Sequence, residues 1–467
     1  MPRIGLVALA LVYGVALAAP ASALSAGWVY TESNNGQRGQ NSVLALKYGN
    51  TGSTSPSEIR EFLTRGTGAG YIRNRSVGAL AGDQEVIMSP DRRFLFAVNQ
   101  GSNTVAVFSV DQSTGSLQHV PGSPFPSGGN APISVGFNGR HLVVVNHGTK
   151  PPFAPAMMMP PEETALDRAI DSIVGDSAPP PAPPAGPMPD FGDPNFTSFE
   201  VSSEGGLRRI GSVPAVPGPT QAAIAPNGRN LFSPSFYAFL IPGDQEIQSL
   251  TLSPSGRLAA AGPPTGFPDD MTNNLAMQPP PFLPPGIEHL AFGVAFHPTE
   301  QIVYILGAAA QRVAIYRYDN AGKLTYLGKV DHRGYAACWL VLTSDGRYMY
   351  SANTVTQDIT VFRVSPNGQQ LSVVEVEKMP STATVFNLAI DPDNRFLYAV
   401  GGHEDPDGPR PQEKQQPDGS FAPAPADGNF IEAFRIGSGG RLSPISTTAL
   451  PVRSSQIPYG LAVLEQR

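Results

Sequence analysis

One short pattern recurs along the chain and limits its fold more than any other feature: a turn rich in Asp, Asn and Gly, followed by aromatic and β-branched residues. It reads Pro90-Asp91-Arg92-Arg93-Phe94-Leu95-Phe96, Pro226-Asn227-Gly228-Arg229-Asn230-Leu231-Phe232, Ser344-Asp345-Gly346-Arg347-Tyr348-Met349-Tyr350 and Pro392-Asp393-Asn394-Arg395-Phe396-Leu397-Tyr398. Weaker copies stand at Asn138-Gly139-Arg140 and Pro298-Thr299-Glu300. The turn residues favour a tight reversal and the residues after them a buried strand, so each copy predicts a hairpin.

A second alternating run follows each hairpin, as in Val105-Ala106-Val107-Phe108, Ile247-Gln248-Ser249-Leu250, Val313-Ala314-Ile315-Tyr316 and Ile359-Thr360-Val361-Phe362. Phe199-Glu200-Val201, Ile431-Glu432-Ala433-Phe434 and Val43-Leu44-Ala45-Leu46 complete a set of seven. Several of these runs meet a Gly-x-Leu turn, at Gly115-Ser116-Leu117, Gly205-Gly206-Leu207 and Gly322-Lys323-Leu324. Four strands per unit, repeating about every 40–45 residues, is the pattern of propeller blades, so an all-β, seven-bladed β-propeller with four-stranded antiparallel blades is predicted. Gly27-Trp28-Val29-Tyr30 reads as a second strand lacking its first, and Tyr459-Gly460-Leu461-Ala462-Val463-Leu464 as a first strand with nothing after it. The two chain ends are expected to share one blade, which leaves no unpaired inner edge.

Pro-rich insertions interrupt the repeat at residues 150–193, 262–287 and 401–429. With the strands of a blade labelled a to d, antiparallel order places every b–c loop and every d-to-a link on one face. The three insertions fall there, together with the 65–83 link that carries Arg73 and Arg75, and with His147, His289, His332 and His403. Loops on a rigid scaffold commonly carry function, so this face is the expected functional one, with Arg73, Arg75, His147 and His289 as candidate ligand contacts. Pro161 to Gly175 can form a short amphipathic helix over the channel mouth, and Met157-Met158-Met159 before it reads as apolar packing.

The first residues read as a secretory signal: Arg3, an apolar run from Ile4 to Ala19, and Ala21-Ser22-Ala23 as a cleavage site. The propeller is then residues 24–467, secreted or periplasmic. The apolar run is shorter than the ~20 residues of a membrane span, so no membrane insertion is expected. The lone Cys338 has no partner for a disulfide and reads as a buried apolar residue. A net charge of -7, with no basic run, excludes a nucleic-acid footprint. A small molecule, or an extracytoplasmic protein or glycan, is the expected partner of a monomer.

Gly401-Gly402-His403-Glu404-Asp405-Pro406-Asp407-Gly408 is the densest group of potential ligands, and Asp405 and Asp407 are candidates for a divalent cation. In Asp331-His332-Arg333-Gly334-Tyr335, His332 is a candidate general base and Arg333 an oxyanion or carboxylate anchor; His403 and Glu404 join them as candidate catalytic groups. Asn99, Asn146 and Asn353 recur at the ends of second strands and are expected to cap the b–c turn. No Gly-x-Ser-x-Gly, His-Glu-x-x-His, phosphate-loop or Cys-x-x-Cys-His motif is present, which removes the usual support for a serine hydrolase, zinc protease, nucleotide enzyme or c-type haem protein.

Thr67-Gly68-Ala69-Gly70, the run from Met88 to Asn103, Ala337-Cys338-Trp339 and Ser344-Asp345-Gly346-Arg347-Tyr348 resemble the lactonase-type seven-bladed propellers, which include 6-phosphogluconolactonases and carboxymuconate-lactonising enzymes. The resemblance runs through most of the chain outside the insertions and is closest to exported members. It implies hydrolysis or isomerisation of a lactone or cyclic carboxylate, with no required cofactor. Cytosolic members carry a Pro-His where this chain has Pro219-Thr220-Gln221, an Arg shortly before the strand that here reads Phe292-Gly293-Val294-Ala295-Phe296, and a Glu where Ala308-Ala309-Ala310 stands. No catalytic residue is therefore carried over from the family. The alternative expectation is a non-catalytic propeller that binds through its insertion-bearing face.

Overall fold

The computed structural model describes residues 26–69, 82–148, 192–236, 238, 246–271, 289–354, 356–381, 383–402, 428–452 and 457–466. Its strands form seven antiparallel sheets of the expected order. The shared blade, blade 1, pairs the C-terminal Tyr459–Glu465 as strand a with Gly27–Glu32, Ser42–Tyr48 and Thr54–Leu63. Val29 lies opposite Val463, and Tyr30 opposite Ala462, so the two chain ends close the ring as the sequence predicts.

The inner strands of blades 2 to 7 are Val86–Met88, Pro132–Phe137, Ala223–Ile224, Ala291–Phe296, Ala337–Leu342 and Thr384–Ile390. No α-helix occurs among the described residues, and the helix expected over 161–175 lies outside them. The 150–193 and 401–429 insertions leave from the ends of strands b at Asn146 and Gly402, and the 262–287 insertion lies between Ala260 and Ala291. All three therefore leave from the end of the sheets where strands a begin.

The repeated turn works through backbone conformation. Its third position lies in the left-handed region in five blades, filled by Arg92, Gly139, Gly228, Gly346 and Asn394. Gly and Asn tolerate that region best, which is why they dominate the pattern.

The glycine of the c–d turn also has positive φ in all seven blades: Gly52, Gly115, Gly205, Gly256, Gly322, Gly368 and Gly440. Each presses on strand b of the preceding blade, where a Cβ would meet side chains such as Phe396, Trp28, Phe94 or Tyr348 within 3 Å. Four of these contacts carry a latch in which a buried tyrosine hydroxyl donates to the glycine carbonyl: Tyr30 to Gly115 at 2.9 Å, Tyr304 to Gly368 at 2.7 Å, Tyr350 to Gly440 at 2.9 Å and Tyr398 to Gly52 at 3.2 Å. The Gly-x-Leu signal is thus the joint between blades. Tyr350→Phe is expected to cost about 1 kcal/mol, the net worth of one buried hydrogen bond, read as a lower urea midpoint with unchanged slope.

The recurrent asparagines do cap the b–c turns. Asn353 donates to Asp358 Oδ1 at 2.7 Å and Thr360 Oγ1 at 2.8 Å, Asn146 to Asn195 Oδ1 at 3.1 Å, and Asn99 to Thr104 Oγ1 at 3.1 Å. Each lies under a glycine of the link above it, Gly334, Gly129 and Gly66 respectively, where no side chain fits. Cys338 is buried and free, its thiol pushed up to about 12 by burial, in keeping with a packing role.

Candidate active site at the closed end of the channel

A cavity of about 470 Å³ runs along the propeller axis, lined by the inner strands of blades 1, 2 and 4 to 7. At the end nearer the a–b turns its walls are apolar and half-buried, as at Met88, Ile224, Phe296, Leu342, Ile390 and Val463. At the other end they are polar and buried, with Asp83, Gln221 and Asn387.

That polar end is closed by the link into blade 2, which crosses the axis at Gly82-Asp83-Gln84. Trp339 Nε1 of blade 6 donates to the Gly82 carbonyl at 3.0 Å. Asp83 N donates to Thr220 O of blade 4 at 3.0 Å, Ser134 Oγ of blade 3 donates to the Asp83 carbonyl, and Val135 N donates to Gln84 O at 3.1 Å. A chain of rings from blades 4, 5, 6, 7 and 1 packs on the same side. Phe236–Phe292 centroids lie 5.8 Å apart, Phe292–Trp339 5.4 Å, Trp339–Phe386 6.5 Å and Phe386–Tyr459 5.2 Å. The channel is therefore blind at the insertion-bearing face and reached from the opposite one.

Asp83 is the ionisable group at the blind end. Its Oδ1 accepts from Asn387 Nδ2 at 3.1 Å, and burial raises its carboxyl to about 7 despite that bond. Gln84 lines the same end, and its amide oxygen has no hydrogen-bond partner. Gln221 serves the frame: its Oε1 accepts from Val294 N at 2.9 Å, tying blade 4 to blade 5.

Beside Asp83, Glu85 is buried with both carboxyl oxygens unpartnered, and burial followed by the Asp83 charge raises it well above the ordinary range. Glu32, also buried, accepts from Asn41 Nδ2 and is raised to about 8. A carboxyl with a value near 7 in a cavity can exchange protons at neutral pH.

The histidines expected at the site lie apart from this cavity. His332 is fully buried with neither ring nitrogen in a well-formed hydrogen bond, and desolvation lowers it to about 4; Arg333 beside it is exposed. His147 is buried, its Nε2 2.8 Å from Pro219 O, and is likewise lowered to about 4. His289 is half-buried and pairs through Nδ1 with Glu246 Oε1 at 3.0 Å. None of these four lines the channel cavity. Arg73, Arg75, His403, Glu404, Asp405, Asp407 and Met157-Met158-Met159 lie outside the described residues. Among the described residues no group of three or more His, Cys, Asp or Glu is placed to hold a metal ion. Sequence reading passed over Asp83 and Glu85, although Gly82-Asp83-Gln84-Glu85 is the one link that sets two carboxyls directly before an inner strand.

These groups make stability depend on pH, with signs that differ. Asp83 and Glu32 hold their protons more tightly folded than unfolded. Their stabilisation is complete below about pH 4 and is lost as pH rises through about 7 and 8. His147 and His332 are lowered, so they contribute above pH 6.5 and lose that contribution as pH falls through about 4. Above pH 6.5 only the carboxyls act. In chelator-treated protein the Tm is expected to fall from pH 6.5 to 8, and Glu32→Gln to flatten that fall; a Tm constant over this range contradicts the assignment.

The comparisons with known proteins agree with this architecture. Residues 40–150 and 293–406 match the family described as "Lactonase, 7-bladed beta-propeller". The 6-phosphogluconolactonase of Yersinia enterocolitica is 25% identical over 251 residues, covering 47% of this chain and 74% of that protein. Its counterpart in Yersinia pestis (strain Pestoides F) is 26% identical, covering 47% and 73%. Among solved structures, the periplasmic gluconolactonase PpgL of Pseudomonas aeruginosa superposes with a TM-score of 0.59 at 16% identity, covering 95% of this chain and all of that one. A putative 6-phosphogluconolactonase from Bacteroides uniformis gives 0.57 at 14%, covering 94% and 100%. At such identities the structures speak to the fold: this chain is a seven-bladed β-propeller closed by a shared strand, and the sequence matches make just under half of it similar to the lactonase-type propellers.

Proposed function

We propose that the protein is an exported lactonase that opens a small lactone at the blind end of its channel, with Asp83 as the general base. The observation that carries this reading is the placement of a carboxyl raised to about 7 at the polar end of a 470 Å³ cavity. A single-ring lactone fits such a space, with its apolar edge against the inner strands and its ester group toward Asp83. The Asp83 carboxylate takes a proton from water as the oxygen of that water attacks the ester carbonyl. The tetrahedral intermediate collapses by breaking the ring C–O bond, and the proton on Asp83 passes to the departing ring oxygen, so lactone and water give one hydroxy acid. The amide of Gln84 can turn its NH₂ toward the developing oxyanion.

Family relatives with 6-phosphogluconolactonase activity in their names support the reaction class. The Arg3 to Ala23 leader supports export. The test is a panel of sugar and aliphatic lactones followed by pH-stat from pH 5 to 9. Turnover with an acid limb near pH 7 is expected; no turnover above buffer on any lactone, or a rate unaffected by pH, overturns the reading.

A further inference from the structure

We propose that the small cavity between Glu32 and Glu85 is a binding site for a hard, calcium-sized cation that pins the link across the channel end. The cavity lies where blades 1, 2 and 3 meet, outside the channel, and is lined by Glu32, Asn34, Glu85, Gln100, Ile133 and Tyr459 among others. Its volume of about 10 Å³ has room for one water or one bare ion. Glu85 is only 6% exposed, and neither of its carboxyl oxygens has a partner. Glu32, 3% exposed, has its Oε1 taken by Asn41.

Two carboxyl groups buried around one ion-sized space, one of them wholly unpaired, need a countercharge or a pair of protons. A divalent cation supplies the charge that two carboxylates match, and calcium accepts the irregular oxygen set available here better than magnesium, which demands a near-ideal octahedron. Asn34 lines the same space with an amide nitrogen that is buried and unpartnered. Its own oxygen is engaged by Ala69 N at 2.6 Å and is not a ligand. Glu85 follows Asp83 by two residues and Val98 N of blade 2 holds its carbonyl at 3.1 Å, so an ion shared with Glu32 ties the crossing link to blade 1.

The inference is independent of the lactonase reading, because its readout is stability and metal luminescence. Chelator-treated full-length protein is titrated with Ca²⁺ at pH 7.5 and its Tm followed, and with Tb³⁺ for emission sensitised through Tyr459. A rise in Tm of a few degrees, and Tb³⁺ emission displaced by Ca²⁺, are expected. Both should be lost in Glu85→Gln and in Glu32→Gln, which keep the side-chain shape and remove the buried charge. Three results overturn the proposal: a Tm indifferent to millimolar Ca²⁺, a shift that survives in both variants, or a shift lost in Asp405→Asn plus Asp407→Asn while the two Gln variants keep it. In the first case the two acids are a protonated pair.

Discussion

Asp83→Asn is expected to lower lactone turnover by about 10²–10⁴-fold, the usual worth of a general base, while KM changes little. The substitution preserves shape and the oxygen that accepts from Asn387 Nδ2, so the link across the channel keeps its place. What it removes is the ability to take a proton. It also removes a buried acid whose ionisation opposes folding above neutrality, so the variant should melt no lower than the parent at pH 8. A drop in rate with an unchanged or raised Tm therefore separates chemistry from stability. His332→Ala combined with His403→Ala should leave turnover within a few-fold of the parent, because His332 is sealed away from the cavity. If Asp83→Asn retains a third or more of the rate and the double histidine variant loses it, the base has been misassigned and the insertion-bearing face regains the chemistry.

Gly115→Ala is expected to destabilise the fold by roughly 2–5 kcal/mol, the sum of a left-handed backbone cost and overpacking against a filled core. Gly115 has φ +64, and a Cβ there would lie 2.2 Å from Cδ2 of Trp28, whose ring is buried in the preceding blade. The same glycine carbonyl receives the Tyr30 hydroxyl, so a shift of the turn to relieve the clash would also break a buried hydrogen bond. Gly139→Ala is the control: its φ is +95 but a Cβ there meets nothing within 4 Å. It should carry only the backbone cost, about 1–2 kcal/mol. Urea unfolding of the two variants measures the difference. Equal losses would show that the Gly-x-Leu turn matters for its conformation alone and does not join blades.

Much of this architecture could be read from local sequence because each blade repeats a local necessity. A turn position at positive φ selects Gly or Asn, a half-buried strand selects alternating aromatics and β-branched residues, and four such strands in succession leave one economical packing. The closing strand was legible for the same reason, since Tyr459 to Leu464 needs a partner edge and Gly27 to Tyr30 lacks one. The Gly-x-Leu motif was visible too, but its role as an inter-blade latch was not, because Tyr30 and Gly115 lie 85 residues apart.

The site belongs to the other category. The histidines drew attention because their chemistry is general, yet His332 and His147 fold into dry surroundings that keep them neutral. Asp83 and Glu85 looked like an ordinary polar link. Only the ring of blades brings Asn387, Thr220, Ser134 and Trp339 around that link, from positions 51 to more than 300 residues away along the chain. Sequence alone thus determined the blade and its count, set by interactions between near neighbours repeated seven times, and the closure, set by an unpaired strand at each end of the repeat. The tertiary structure decided which end of the channel is blind and which carboxyl stands there, because burial, and the shift in proton affinity it causes, is a property of the whole ring.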